Sequence, residues 1–76
     1  MRQMEFKMER TGLLEVGDVL PITEYKLPNS WYYVLGKSYA MSANYPNRER
    51  LKSETGTVIK IKETDKGYYV VVEFEE

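Results

Sequence analysis

Arg48, Arg50 and Lys52 stand two residues apart behind Tyr45, Pro46 and Asn47, and Glu49 is the one opposing charge in this stretch, YPNRERLK. A turn-forming Pro-Asn pair followed by cations at alternate positions presents positive charge from a loop. Such a loop can neutralise phosphates while a neighbouring ring stacks on a base of a single strand. It can also seat against carboxylates on another protein, or simply be solvated. A second group of rings, Trp31-Tyr32-Tyr33, lies upstream. In an extended backbone Trp31 and Tyr33 point one way and Tyr32 the other, so one side puts rings outside the core unless something covers them. Uncovered rings dock proline-rich peptides or sit at a homodimer interface, whereas covered ones cap the core and pack across strands.

The remaining charged groups point to ordinary surface chemistry. Glu73, Glu75 and Glu76 form a charged tail without the burial that shifts a carboxyl toward acid-base work. The strand ladder can bring them beside the cations of the 45–52 loop as surface pairs, each worth little. Asp65-Lys66-Gly67 is a turn and not a metal loop. The chain of 76 residues contains no histidine and no cysteine. That removes the usual general base near neutral pH, the commonest zinc ligands, the thiolate nucleophile and every disulfide. What is left, carboxylates, lysines and hydroxyls, would need a deep cleft, and the chain is too short to enclose one. No enzymatic activity, metal or cofactor is expected.

Net charge is −1, but it is unevenly spread. Residues 1–25 carry three cations and five anions, residues 26–52 five cations and one anion, and residues 53–76 three cations and six anions. The middle is therefore basic between acidic ends. Nucleic-acid modules are usually basic throughout, and the sequence pI of 5.5 weighs against that reading. No apolar run reaches the length of a membrane span, and MRQMEFKMER lacks the continuous apolar core of a signal peptide. Cytoplasmic residence is the default expectation.

The elements that must position these groups are short strands. Met4, Phe6 and Met8 alternate with Glu5, Lys7 and Glu9, the period of a half-buried strand, although Met, Glu and Lys also favour helix. Three of the four methionines are in this stretch with Phe6; they either complete a small core or form an adaptable face for a partner. Thr11-Gly12 breaks the pattern. Gly17-Asp18 turns into an extended run from Val19 to Tyr25, which Pro21 marks as a sheet edge or bulge. Residues 26–30 are loop. Trp31 to Leu35 is a strand, Gly36-Lys37 interrupts it, and Ser38 to Ser42 resumes it. Residues 43–53 form a surface excursion with one helical turn near Arg48 to Leu51. Thr57 to Lys62 and Tyr68 to Phe74 make a hairpin around ETDKG, with Tyr68, Val70, Val72 and Phe74 on the core face.

Three segments, EVGDVLPI (15–22), the step Glu54-x-Gly56-Thr57-Val58 into TVIKI, and the return GYYVVVEFEE, together resemble small SH3-like barrels. The pattern is similar to KOW-type ribosomal and transcription-factor modules, and to the barrels of photosystem accessory and ferredoxin-thioredoxin-reductase subunits. The resemblance covers Glu15–Ile22 and Glu54–Phe74; it implies a fold, and no functional residue carries over with it. The expectation is a single small domain over residues 1–76, an all-β antiparallel SH3-like barrel or half-open barrel of five to six strands with one long central loop. Its expected function is to bind another protein, as a small regulator or inhibitor, through Trp31, Tyr32, Tyr33, Tyr45, Arg48, Arg50 and Lys52. The alternative is a single-stranded nucleic-acid binder using the same loop.

Overall fold

Met4, Phe6 and Met8 all point inward and are almost wholly buried, while Gln3, Glu5 and Lys7, which alternate with them, face solvent. The alternation is that of a strand, and it settles the choice between strand and helix left open by composition. The computed structural model describes residues 1–8, 10 and 12–76. Glu9, read as the last outward residue of this strand, and Thr11, read as part of the break, lie outside the described residues. Six strands follow in order: β1 (Arg2–Met8), β2 (Val19–Lys26), β3 (Trp31–Leu35), β4 (Ala40–Ser42), β5 (Thr55–Thr64) and β6 (Gly67–Phe74). One short 3-10 turn, Asn47–Glu49, lies between β4 and β5.

The strands close into an antiparallel barrel in the order β1-β4-β3-β2-β5-β6. β1 is the closing element. It pairs with β6 along its whole length, from Arg2↔Phe74 to Met8↔Tyr68, and with β4 at Phe6↔Ser42 and Lys7↔Met41. β2 is the corner. Val19, Leu20 and Pro21 pair with β5, and Ile22 to Lys26 pair with β3. Pro21 falls where the strand changes partners, which answers the expectation of an edge or bulge there. Its carbonyl accepts from the Gly36 amide at 2.9 Å, and the ring nitrogen has no N–H to return the bond. β5 is bent by a register shift between Val58 and Lys60, which supplies curvature for closure. Asp65-Lys66 links β5 to β6 as a two-residue turn between paired Thr64 and Gly67, with Gly67 at φ 133°.

The interior is filled by one set of residues from each strand. Phe6, Leu35, Val58, Val70, Val72 and Phe74 are completely buried, and Tyr33 is 1% exposed. Phe6 and Phe74 meet at 6.3 Å between ring centroids, tilted by 48°. Removing either ring would cost about 3–5 kcal/mol, against a total stability of about 4–11 kcal/mol for a chain this long. No helix among the described residues is long and apolar enough to cross a membrane.

One position leaves no room for any side chain. Gly56 is buried opposite Leu20, and a β-carbon there would lie 2.5 Å from both the Phe74 ring and a Val72 methyl. Gly56→Ala should therefore destabilise the barrel by about 1–3 kcal/mol through overpacking. Val19→Ser on the solvent face, where Val19 is 65% exposed, should change stability by no more than about 0.5 kcal/mol. Urea unfolding of the two variants checks the contrast; equal midpoints would refute the packing argument.

Candidate functional site

The 43–53 segment begins where β4 stops, and local chemistry fixes it at each step. Ser42, the last residue of β4, is 8% exposed; its hydroxyl accepts from the Tyr33 amide at 2.9 Å and donates to the Ala43 carbonyl at 2.8 Å. The side chain thus does the work of a ladder carbonyl as the strand ends. Tyr45 is then stitched to Trp31 by a reciprocal pair of backbone hydrogen bonds, each 2.8 Å. Pro46, Asn47 and Glu49 turn the chain through the 3-10 segment, with the Glu49 amide bonded to the Pro46 carbonyl and the Arg50 amide to that of Asn47. Leu51, 4% exposed, drops back into the core.

Tyr33 ties the loop to the barrel. Its hydroxyl accepts from the Leu51 amide at 2.7 Å and donates to Glu24 at 3.1 Å. Glu24 receives two further hydrogen bonds from the Arg50 guanidinium, at 3.0 and 2.8 Å, in the forked geometry that suits an arginine and a carboxylate. The same guanidinium lies 3.9 Å from the centroid of the Trp31 ring, with the Lys26 ammonium 5.5 Å from it. The Trp31 indole N–H donates to the Asn47 side-chain oxygen. At the other edge of the loop Glu76 accepts from the Lys52 amide at 3.0 Å, from the Ser53 hydroxyl at 3.3 Å and from Arg2 at 3.4 Å. Arg2 also donates to the Glu49 carbonyl and lies 5.7 Å from the Tyr45 ring centroid.

The predicted site residues therefore fall into three groups. Trp31, Tyr33, Tyr45 and Arg50 come together in the network just described. Arg48 and Lys52 are exposed, form no ion pair among the described residues, and flank a shallow depression of about 660 Å³ that also touches Glu24 and Glu54. Tyr32 is on the other side of β3, stacked on Tyr25 at 5.0 Å and 12°, as their direct cross-strand pairing dictates. The tail glutamates meet the loop as expected in one case, Glu76, but its partners are Arg2 and the loop's own backbone and serine. Glu24 and Asn47 were missed as members of the network. Their signal is long-range: Glu24 lies 26 residues from Arg50 and only the β2–β3 register brings it near.

Electrostatics follow the geometry. The Arg50 hydrogen bonds hold the Glu24 carboxyl below the ordinary 4.5, helped by the Tyr33 hydroxyl and opposed by partial burial. Burial pushes the Tyr33 phenol above 10.0, and its donation to Glu24 adds to the rise while the Leu51 amide opposes it. Burial raises Tyr45 as well, against the pull of Arg2.

Two outcomes are expected. Glu24 titrates lower in the folded chain than in the unfolded one, so its contribution to stability is complete above pH 4.5 and is lost as pH falls through the folded value. Tyr33 titrates higher when folded, so its contribution is complete below pH 10.0 and is lost as pH rises through the folded value. Thermal melts across pH, compared between the parent chain and Glu24→Gln, should show the acid-side slope reduced in the variant. Tyr33→Phe leaves the Leu51 amide buried without its acceptor, and urea unfolding should show a loss of about 1–3 kcal/mol.

A scan against protein-family models and searches of curated proteins and of solved structures return no match to this chain. The architecture itself, a small all-β barrel of six antiparallel strands, fits the SH3-like resemblance at the level of fold.

Proposed function

We propose that the chain is a non-enzymatic interaction module that binds another protein through the surface formed by the 45–52 loop. The observation that carries this reading is the division of labour within the loop. Arg50, Leu51, Tyr45 and the Lys52 amide are committed to holding the loop on the barrel, through Glu24, Trp31, Tyr33 and Glu76. Arg48 and the Lys52 side chain project from this fixed support without ionic partners among the described residues. A loop ordered before contact loses little conformational freedom on binding, so two cations held in place are worth more than two on a mobile tether. Their chemistry fits carboxylates on an acidic protein surface, and the module in its sharper form is a small regulator or inhibitor seated on such a surface.

Single-stranded nucleic acid is the weaker reading. Its stacking would draw on Trp31, whose ring is already approached by Arg50 and Lys26, and the net charge of −1 works against a polyanion. Kinship with KOW-type or photosystem-accessory barrels would agree with either reading, and it rests on the corner motifs alone.

Charge reversal at both Arg48 and Lys52 should abolish capture of the partner in a pull-down from native extract while leaving the unfolding free energy within about 0.5 kcal/mol of the parent. Nuclease treatment should leave capture intact. Capture lost on nuclease treatment, or unaffected by the double reversal, would refute this proposal.

A further inference from the structure

Lys7 and Arg10 belong to an acidic third of the sequence, yet the fold carries them to the side of Lys37. β1 pairs antiparallel with β4 at Lys7↔Met41, so the segment that leaves β1 runs beside the turn that enters β4. Between them is a groove of about 820 Å³. Lys7, Arg10 and Lys37 stand around it, all exposed, and Leu13, Val34 and Met41 give it an apolar floor. Met41 is 54% exposed, high for an aliphatic side chain in the middle of a strand. No carboxylate lines the groove among the described residues. Lys7 is flanked in the ladder by Met41 and Tyr69, neither of which can neutralise it, and the nearby outward glutamate of β1, Glu5, is paired with Lys62 at 2.6 Å.

The wall that carries Lys37 is a tight turn. Gly36 and Ser38 both hold left-handed conformations, at φ 58° and 64°, and the Tyr39 amide closes the turn on the Leu35 carbonyl at 3.0 Å. Ser38 adopts this conformation without glycine's freedom. Tyr39 is packed against the turn: a β-carbon on Gly36 would lie 2.8 Å from its ring. Partly buried against the core, that ring forms one side of the groove.

From a ring of cations over an aliphatic floor we infer that this groove is a second binding site, and that it takes an acidic peptide segment carrying an aliphatic side chain. The carboxylates pair with Lys7, Arg10 and Lys37, and the aliphatic group covers Met41 and Leu13. Phosphodiester strands would satisfy the cations but leave the apolar floor open, which favours a peptide over nucleic acid at this place. The site stands apart from the 45–52 loop: Lys7 is at the Met8 end of β1, whereas the loop contacts Arg2 at the other end.

The test uses the intact chain and three fluorescent probes: a twelve-residue peptide alternating Glu and Leu, the same peptide with Ser in place of Leu, and a twelve-nucleotide oligo-dT. Backbone amide shifts map where each one binds. The Glu-Leu peptide should bind at least tenfold more tightly than the other two and shift Lys7, Leu13 and the 37–42 amides. Lys7→Glu with Lys37→Glu should weaken it at least tenfold, and Lys7→Gln with Lys37→Gln by a smaller factor, at unchanged melting temperature. Arg48→Glu with Lys52→Glu should change it less than twofold. Equal binding of the Glu-Ser peptide, tighter binding of oligo-dT, shifts confined to the 45–52 loop, or no saturable binding at millimolar peptide would each overturn the inference.

Discussion

Closure of this barrel rests on β1, which lies between two strands distant from it in sequence and supplies Met4, Phe6 and Met8 to the interior. Its pairing with β6 is continuous over seven residues, whereas its pairing with β4 spans two. The constraint that follows is geometric. β4 is three residues long and cannot cover the Arg2 end of β1, so something else must occupy that flank. The 43–53 segment does so, with Tyr45 on Trp31, Leu51 in the core and Arg2 reaching across to Glu49. The long loop is thus first a part of the barrel wall, and only its outward cations are at liberty to do anything further.

This ordering explains why the loop is built as it is. A segment that must seal a wall needs its backbone polar groups satisfied, and the structure meets that need with side chains from two strands and the tail: Tyr33, Ser42 and Glu76. No buried side-chain polar atom lacks a partner among the described residues. Arg50 serves twice, as hydrogen-bond donor to Glu24 and as a cation against Trp31. Because Glu24 and Arg50 are still partly exposed, their attraction is moderated by water. The network's worth lies more in fixing one arrangement of the loop than in the free energy of any single pair.

Much of the fold was legible in the sequence because strand periodicity is a local signal. The alternation in residues 4–8, the turn at Gly17-Asp18, the hairpin around Asp65-Lys66-Gly67 and the inward set Val70, Val72, Phe74 all emerged where expected. Tyr68, read with that set, is partly buried and packs against the core. The site was less legible, for a physical reason. Trp31, Tyr33, Tyr45 and Arg50 look like an exposed basic-aromatic surface when read along the chain, since nothing local tells a cation that its carboxylate waits 26 residues away. Cross-strand register decides that, and register depends on closure. The same blindness hid the second cationic group, because Lys7 and Arg10 acquire Lys37 as a neighbour only once β1 and β4 are paired.

The pairing of residues 2–8 with residues 68–74 also dictates the order of events as the chain is made. Strands β2, β3 and β4 can begin to associate while β6 is still inside the ribosome, but the continuous partner of β1 has not yet been delivered. Until it emerges, Met4, Phe6 and Met8 have most of their interior unbuilt, and an alternating apolar strand is left with open hydrogen-bonding edges. Loop closure over such a separation is entropically costly and slow compared with hairpin formation. The outward glutamate and lysine at positions 5 and 7 are therefore well placed to act as gatekeepers, keeping the nascent strand from pairing with its copies before its own partner arrives.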